Sequence, residues 1–207
     1  GDEVIVPNLT FAATINSVIY TGAEPVLCEV NDETWCIDEI KIKPLITKKT
    51  RAIIPVHLYG QVCNMEEILN LAEENDLYII EDCAESIGSK YDNKPTGVFG
   101  DASTFSFFGN KTISTGEGGM VLLKDEKIYN HAKILRDHGM SNKKKYWHDF
   151  VGYNYRLTNV QAAIGVGQLE KLNHIINKKR YIADIYNYKF SQVNGIKKTP
   201  KDNNRCI

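Results

Sequence analysis

Short β-branched, apolar runs alternate with stretches of helical periodicity along this chain, and that alternation limits the fold more than any other feature of the sequence. Strands joined through helices pair in parallel and are covered on both faces, so they read as brief apolar runs. Glu3–Val6, Glu24–Glu29, Arg51–Val56, Leu77–Glu81, Ala102–Phe107 and Gly119–Leu123 have this character, most of them apolar on both faces. Helical spacing occupies Phe11–Tyr20, Asp38–Ile46, Met65–Glu74 and Glu126–Arg136, then runs from Asn159 to about Leu172 and on toward Phe190. Asn64 and Thr158 stand where N-caps belong. The expected architecture is α/β, with a mixed, mostly parallel sheet between helices.

A formal charge of -1 over 207 residues provides no field for nucleic acid or an anionic membrane, so small-molecule chemistry is the expectation. Cys28, Cys36, Cys63, Cys83 and Cys206 are odd in number and form no C-x-x-C pair, which suits a reducing cytoplasm better than a disulfide framework or a zinc knuckle. No apolar run is long enough to span a bilayer. The five histidines are too scattered to suggest a metal site, and Gly165-Val-Gly167 lacks the third glycine of a dinucleotide fingerprint. Lys143–Lys145 read as a solvated polar loop, with a nucleotide diphosphate as the functional alternative. The chain opens without methionine and ends without a helix stop, so an internal segment of a longer protein is expected.

Chemistry concentrates at two places. Lys111 follows the aromatic run Phe105-Ser-Phe-Phe108 and precedes the glycine-rich turn Gly116–Gly119. Alone, such a lysine is a surface residue; in a sheltered site it is the side chain that forms Schiff bases with pyridoxal phosphate. Asp82 ends the apolar strand Ile79-Ile80-Glu81, at the sheet edge where α/β proteins bind ligands. A carboxylate there could hold the pyridine nitrogen of that cofactor protonated, or simply cap a helix. Ser106 offers a hydroxyl for a phosphate, or a local strand contact.

Seven segments, in order, resemble the DegT/DnrJ/EryC1/StrS sugar aminotransferases. They are Thr10–Thr14, Val56-His-Leu-Tyr-Gly60, Glu81-Asp-Cys-Ala-Glu-Ser86, Phe105–Lys111, Thr115-Gly-Glu-Gly-Gly119, His138-Gly139 and Gly152-Tyr-Asn-Tyr-Arg-Leu157. The wording around Lys111 is most similar to the perosamine-synthase-like branch. The resemblance implies a fold-type I large domain, truncated at both ends, over residues 1–165, with 166–207 forming a connecting helix and the start of a small C-terminal domain. It implies pyridoxal 5'-phosphate on Lys111, Asp82 at the ring nitrogen, Glu85 near the 3-hydroxyl, Phe11 stacked on the ring and Ser106 at the phosphate. Asn154 would reach the phosphate of a neighbouring subunit, which requires a homodimer with a shared active site.

The implied reaction moves an amino group from an amino acid, glutamate by the family's habit, to a nucleotide-linked 4-keto-6-deoxy sugar. Polysaccharide or modified-sugar biosynthesis is the associated setting. Two alternatives accompany this reading: a sugar 3-dehydratase, a branch that replaces the lysine with histidine, and a non-catalytic regulatory or sugar-nucleotide-binding homologue. Phe11 would otherwise be assigned to the core. The family's loop for the cofactor phosphate would precede Gly1.

Overall fold

A computed structural model describes residues 1–196, so Cys206 and the expected end of the second segment lie outside the described residues. The chain begins with strand β1 (Glu3–Pro7), helix α1 (Ala12–Tyr20), β2 (Glu24–Cys28) and a four-residue helix α2 (Glu39–Ile42). β3 (Thr50–Ile53), α3 (Met65–Asn75) and β4 (Tyr78–Asp82) follow. A hairpin of β5 (Lys90–Tyr91) and β6 (Lys94–Pro95) precedes β7 (Ala102–Ser106) and β8 (Gly119–Leu123). The described chain closes with α4 (Glu126–Leu135), α5 (Asn159–Leu169) and α6 (Leu172–Phe190).

Six strands form one sheet in the order β2-β1-β3-β4-β7-β8. All neighbours are parallel except β7 and β8, which pair antiparallel. After β2 the chain crosses β1 to place β3 on its other side, so a crevice opens at the carboxyl ends of the strands. The period of two along each strand divides the core. Ile5, Ile53 and Ile79 turn to the face covered by α3, where they meet Met65, Ile68 and Ala72. Val6, Ile54 and Ile80 turn to the face covered by α1 and meet Val18.

Several boundaries differ from the sequence reading. The helix expected over Asp38–Ile46 stops at Ile42 and tightens into a 3-10 turn over Lys43–Leu45, where Pro44 removes a backbone donor. The long terminal helix is interrupted at Glu170–Lys171. The third strand ends at Ile53, with Val56 making only an isolated bridge to Asp82. The β5–β6 hairpin, unforeseen, turns on Asp92 and Asn93, both with positive φ as a tight two-residue loop requires. Burial on both faces fails at β8, an edge strand whose Met120, Val121 and Leu122 are about half exposed.

The two expected caps part company. Thr158 accepts from the Gln161 N–H while Gln161 reaches back to the Thr158 N–H, a complete capping box. Asn64 stands at the N-cap of α3 without capping it. Its amide instead donates to Glu39 at 2.8 Å and accepts from the Tyr91 hydroxyl at 3.0 Å. We therefore expect Thr158→Ala to lower stability by about 1 kcal/mol, read from the denaturant midpoint. Asn64→Ser, a cap by residue type, is expected to destabilise as well, because serine cannot span Glu39 and Tyr91.

Candidate active site

The connection from β7 to β8 carries Lys111, and local bonds shape it. Lys111 N–H donates to the Phe108 carbonyl, Thr115 N–H to Phe107 and Phe107 N–H to Gly118. Helix α5 fastens this loop from outside: Gln168 accepts from the Ser114 N–H at 2.9 Å and Gln161 donates to the Glu117 carbonyl at 3.0 Å. Gly118 has φ 148, and a Cβ there would come within 2.7 Å of Thr115 and Leu157 atoms, so the turn needs glycine.

The Lys111 ammonium donates to Glu85 Oε1 at 3.2 Å, with both side chains largely sheltered. The other Glu85 oxygen accepts from the Tyr59 N–H at 2.8 Å. Tyr59 offers that N–H from a left-handed backbone, φ 53, inside the 3-10 turn Leu58–Gly60. Lys111 and Glu85 line a cavity of about 1120 Å³ that extends past Trp35 and Tyr59 to Lys179 and Arg180 on α6.

Asp82 lies at the end of β4. Its register partner is Thr104, so Asp82, Thr104 and, two residues on, Ser106 face the same side of the sheet, that of α1. Thr14, in the first turn of α1, donates its hydroxyl to Asp82 Oδ2 at 2.8 Å, and Thr10 in turn donates to Thr14. The Ala84 N–H occupies Oδ1 at 3.1 Å. Phe11 stands at the N-cap of α1 with its ring 78% exposed, which overturns the core reading of that residue. Ser106 Oγ accepts from the Phe108 N–H and so keeps its hydroxyl hydrogen to donate. Asn154 is exposed on a segment bridged to Asp137.

The structure thus brings Lys111 and Glu85 into contact and places Asp82 and Ser106 on one sheet face, beside the helix that Phe11 opens. Phe11, Asp82, Ser106 and Asn154 do not line the large cavity. The donor set fits pyridoxal phosphate: a sheltered primary amine, a carboxylate steadied on both oxygens, an uncovered aromatic ring and a free hydroxyl donor.

Glu81, one residue before Asp82, points to the opposite face and is fully buried. Its Oε1 accepts from Phe99 and Gly100 N–H at 2.8 and 2.7 Å, and its Oε2 from Gly97 N–H at 2.9 Å and His57 Nε2 at 3.1 Å. His57 Nδ1 accepts from the Cys63 N–H, which puts the imidazole proton on Nε2 and directs it at Glu81. Burial pushes the Glu81 carboxyl up, but the His57 bond and the Gly100 and Gly97 amides outweigh it and hold the group below the usual carboxylate range.

His57, Glu81 and Cys83 have ligand atoms within 4.8 Å of one another, the spacing of a metal site. Their lone pairs are committed. Four donors saturate Glu81, Cys63 takes His57 Nδ1, and burial followed by the charge of Glu81 pushes the Cys83 thiol up to about 12. His57 and Glu81 form a hydrogen-bonded anchor with the buried Cys83 thiol beside them. His57 serves that anchor and does not line the cavity at Lys111. Thr14 and Glu81 lay within the quoted motifs without a role; their signals were the i, i+4 threonine pair and a charged residue inside an apolar strand.

The sequence model of the DegT/DnrJ/EryC1/StrS aminotransferase family matches residues 1–206. A GDP-perosamine synthase of Escherichia coli O157:H7 is 51% identical over 202 residues, 98% of this chain and 56% of the relative. A UDP-N-acetyl-3-dehydro-alpha-D-glucosamine 3-aminotransferase of Acidithiobacillus ferrooxidans is 45% identical over 79% of this chain and 44% of its own. A putative sugar aminotransferase of Streptococcus pneumoniae, solved in its PLP-form, superposes with a TM-score of 0.87 at 30% identity, covering 93% of this chain and 54% of that one. The chain spans about half the length of the relatives it matches.

The Glu81 anchor has a signed pH dependence. With the folded-state carboxyl held low, its stabilisation is complete above the ordinary glutamate range, about 4.3, and is lost as pH falls through its lower folded value. Glu81→Gln is expected to cost on the order of 3–5 kcal/mol at pH 7, because an amide cannot accept from all four donors. Urea titrations of wild type and variant are expected to converge as pH falls below about 4.

Proposed function

The chain belongs to the DegT/DnrJ/EryC1/StrS aminotransferase family, and on that premise we propose that the protein transfers an amino group from an amino acid to a nucleotide-linked keto sugar with pyridoxal 5'-phosphate as cofactor. The observation that carries this reading is the Lys111 amine held on Glu85 in the lining of a cavity large enough for a bulky acceptor. The 51% identical GDP-perosamine synthase favours a 4-keto-6-deoxy sugar as that acceptor, and glutamate is the proposed donor.

In this reading Lys111 Nζ would hold the cofactor covalently and, as a free amine, would take up and return the proton of the donor Cα. Glu85 holds the free Lys111 amine, and with the cofactor bound it would accept from the 3-hydroxyl. Asp82, with Thr14 fixing Oδ2, stabilises positive charge on the ring nitrogen. Phe11 covers a ring face and excludes water, while Ser106 donates to the phosphate. The cofactor, when bound, supplies the electron sink for the carbanion formed from the donor.

Asn154 completes the phosphate site from a second copy of the chain, so the proposed assembly is a homodimer. The exposed Tyr146, Trp147, Phe150, Val151, Tyr153 and Tyr155 around it form an apolar surface suited to such a contact. We assign residues 1–165 to the cofactor-binding domain and 166–207 to the link toward a second domain. Cytoplasmic polysaccharide or modified-sugar biosynthesis is the proposed setting.

Full-length protein with cofactor is expected to show a visible Schiff-base absorption band that Lys111→Ala abolishes; an unchanged band removes Lys111 from the chemistry. Mass spectrometry of products from glutamate and a panel of nucleotide keto sugars is expected to show an amino sugar, whereas a deoxygenated product would indicate a dehydratase.

A further inference from the structure

The cavity at Lys111, at about 1120 Å³, exceeds the roughly 300–1,000 Å³ of ordinary small-ligand pockets, and part of its wall has no task in the chemistry above. Trp35 and Tyr59 meet there edge to face, ring centroids 6.2 Å apart at 75°. They come from separate loops, and both have left-handed backbones, φ 60 and 53, which bulky residues rarely adopt unless their surroundings fix them. The Tyr59 ring is nonetheless 75% exposed. The same cavity is lined by Lys179 and Arg180 of α6, neither of them ion-paired among the described residues. Asp184, one turn on, shares that wall.

We propose that this wall is the subsite for a sugar nucleotide: the apolar face of the sugar ring rests on Tyr59 and Trp35, and the diphosphate lies against Lys179 and Arg180. The inference rests on the aminotransferase reading and assigns the acceptor its place. Aromatic rings provide a flat apolar surface to the C–H face of a sugar. A guanidinium matches two phosphate oxygens at once, and an ammonium beside it adds a second charge. Asp184, lining the same cavity, is an acceptor for hydroxyls.

The geometry between the anchors is held by a close approach. Gly88 has φ 96, and a Cβ there would lie 2.3 Å from Ile176 Cδ1 on α6, so the turn after Glu85 seats directly against the helix that carries both cations. Lys143–Lys145 are poorer candidates for this wall. Lys144 and Lys145 lie over the Trp147 and Tyr146 rings at 4.7 and 5.0 Å, and none of the three lines the cavity.

The test uses full-length, cofactor-loaded protein and calorimetric titration with GDP and GDP-mannose. Lys179→Gln and Arg180→Gln are each expected to weaken both probes at least about tenfold, with a shallower salt dependence. Tyr59→Asn, which keeps a residue tolerant of left-handed backbone, is expected to weaken GDP-mannose and leave GDP nearly unchanged; Tyr59→Phe retains the ring and the affinity. The double variant Lys144→Gln, Lys145→Gln is expected to bind both probes as wild type does. Wild-type affinity in Arg180→Gln with loss in the Lys144, Lys145 variant overturns the proposal, as does absence of binding by wild type. In the same preparations, the absorbance change on adding glutamate reports the donor half-reaction. Its absence overturns the aminotransferase reading, whereas the nucleotide titrations judge the subsite.

Discussion

A buried carboxylate organises the carboxyl edge of the sheet. Glu81 is fully buried, so it is tolerable only as the acceptor of four donors, and those donors come from two loops far apart in sequence. One is the 97–100 loop leading into β7. The other is the turn that begins at His57, whose own N–H also binds the Asp82 carbonyl. The same turn presents the Tyr59 N–H to Glu85, and Glu85 holds Lys111. From the core to the Lys111 amine, the chain of support runs through the Glu81–His57 bond, the turn that His57 begins, the Tyr59–Glu85 bond and the Glu85–Lys111 bond.

Alternation along β4 separates the anchoring carboxylate from the one proposed for chemistry. Glu81 faces the α3 side, where the larger apolar core excludes water and makes its bonds costly to break. Asp82 faces the α1 side, where Thr14 steadies it beside the uncovered Phe11 ring. A one-residue slip of this strand would exchange the two carboxylates and destroy both arrangements. Beyond β8 the character changes. Helices α4, α5 and α6 contain no buried residue, and their apolar side chains, such as Val160, Ile164, Tyr181 and Tyr186, stand open. That half-covered third accords with a chain spanning about half the length of its relatives.

Much of the fold was legible because strand and helix periods are local properties. The errors fell where a local rule met a specific neighbour. Pro44 cut α2 short; Asn64 had the right residue type for a cap, but Glu39 and Tyr91 claimed its amide. Lys111, Asp82, Glu85, Phe11, Ser106 and Asn154 are the proposed site residues that their motifs mark, and of these the structure joins Lys111 to Glu85. Nothing local distinguished Glu81 from Asp82 in function, and nothing in the spacing showed that Tyr59 offers its backbone.

By itself the sequence determined the α/β architecture, the family and the identity of the chemical groups, since hydrophobic period and residue type are written one position at a time. Tertiary structure alone decided which carboxylate is buried and which faces the α1 side. It also decided that Lys111 meets Glu85, and that Trp35, Tyr59, Lys179 and Arg180 share a wall. Those outcomes depend on contacts between segments as much as about 150 positions apart, where desolvation and available donors, not local propensity, set each group's partner.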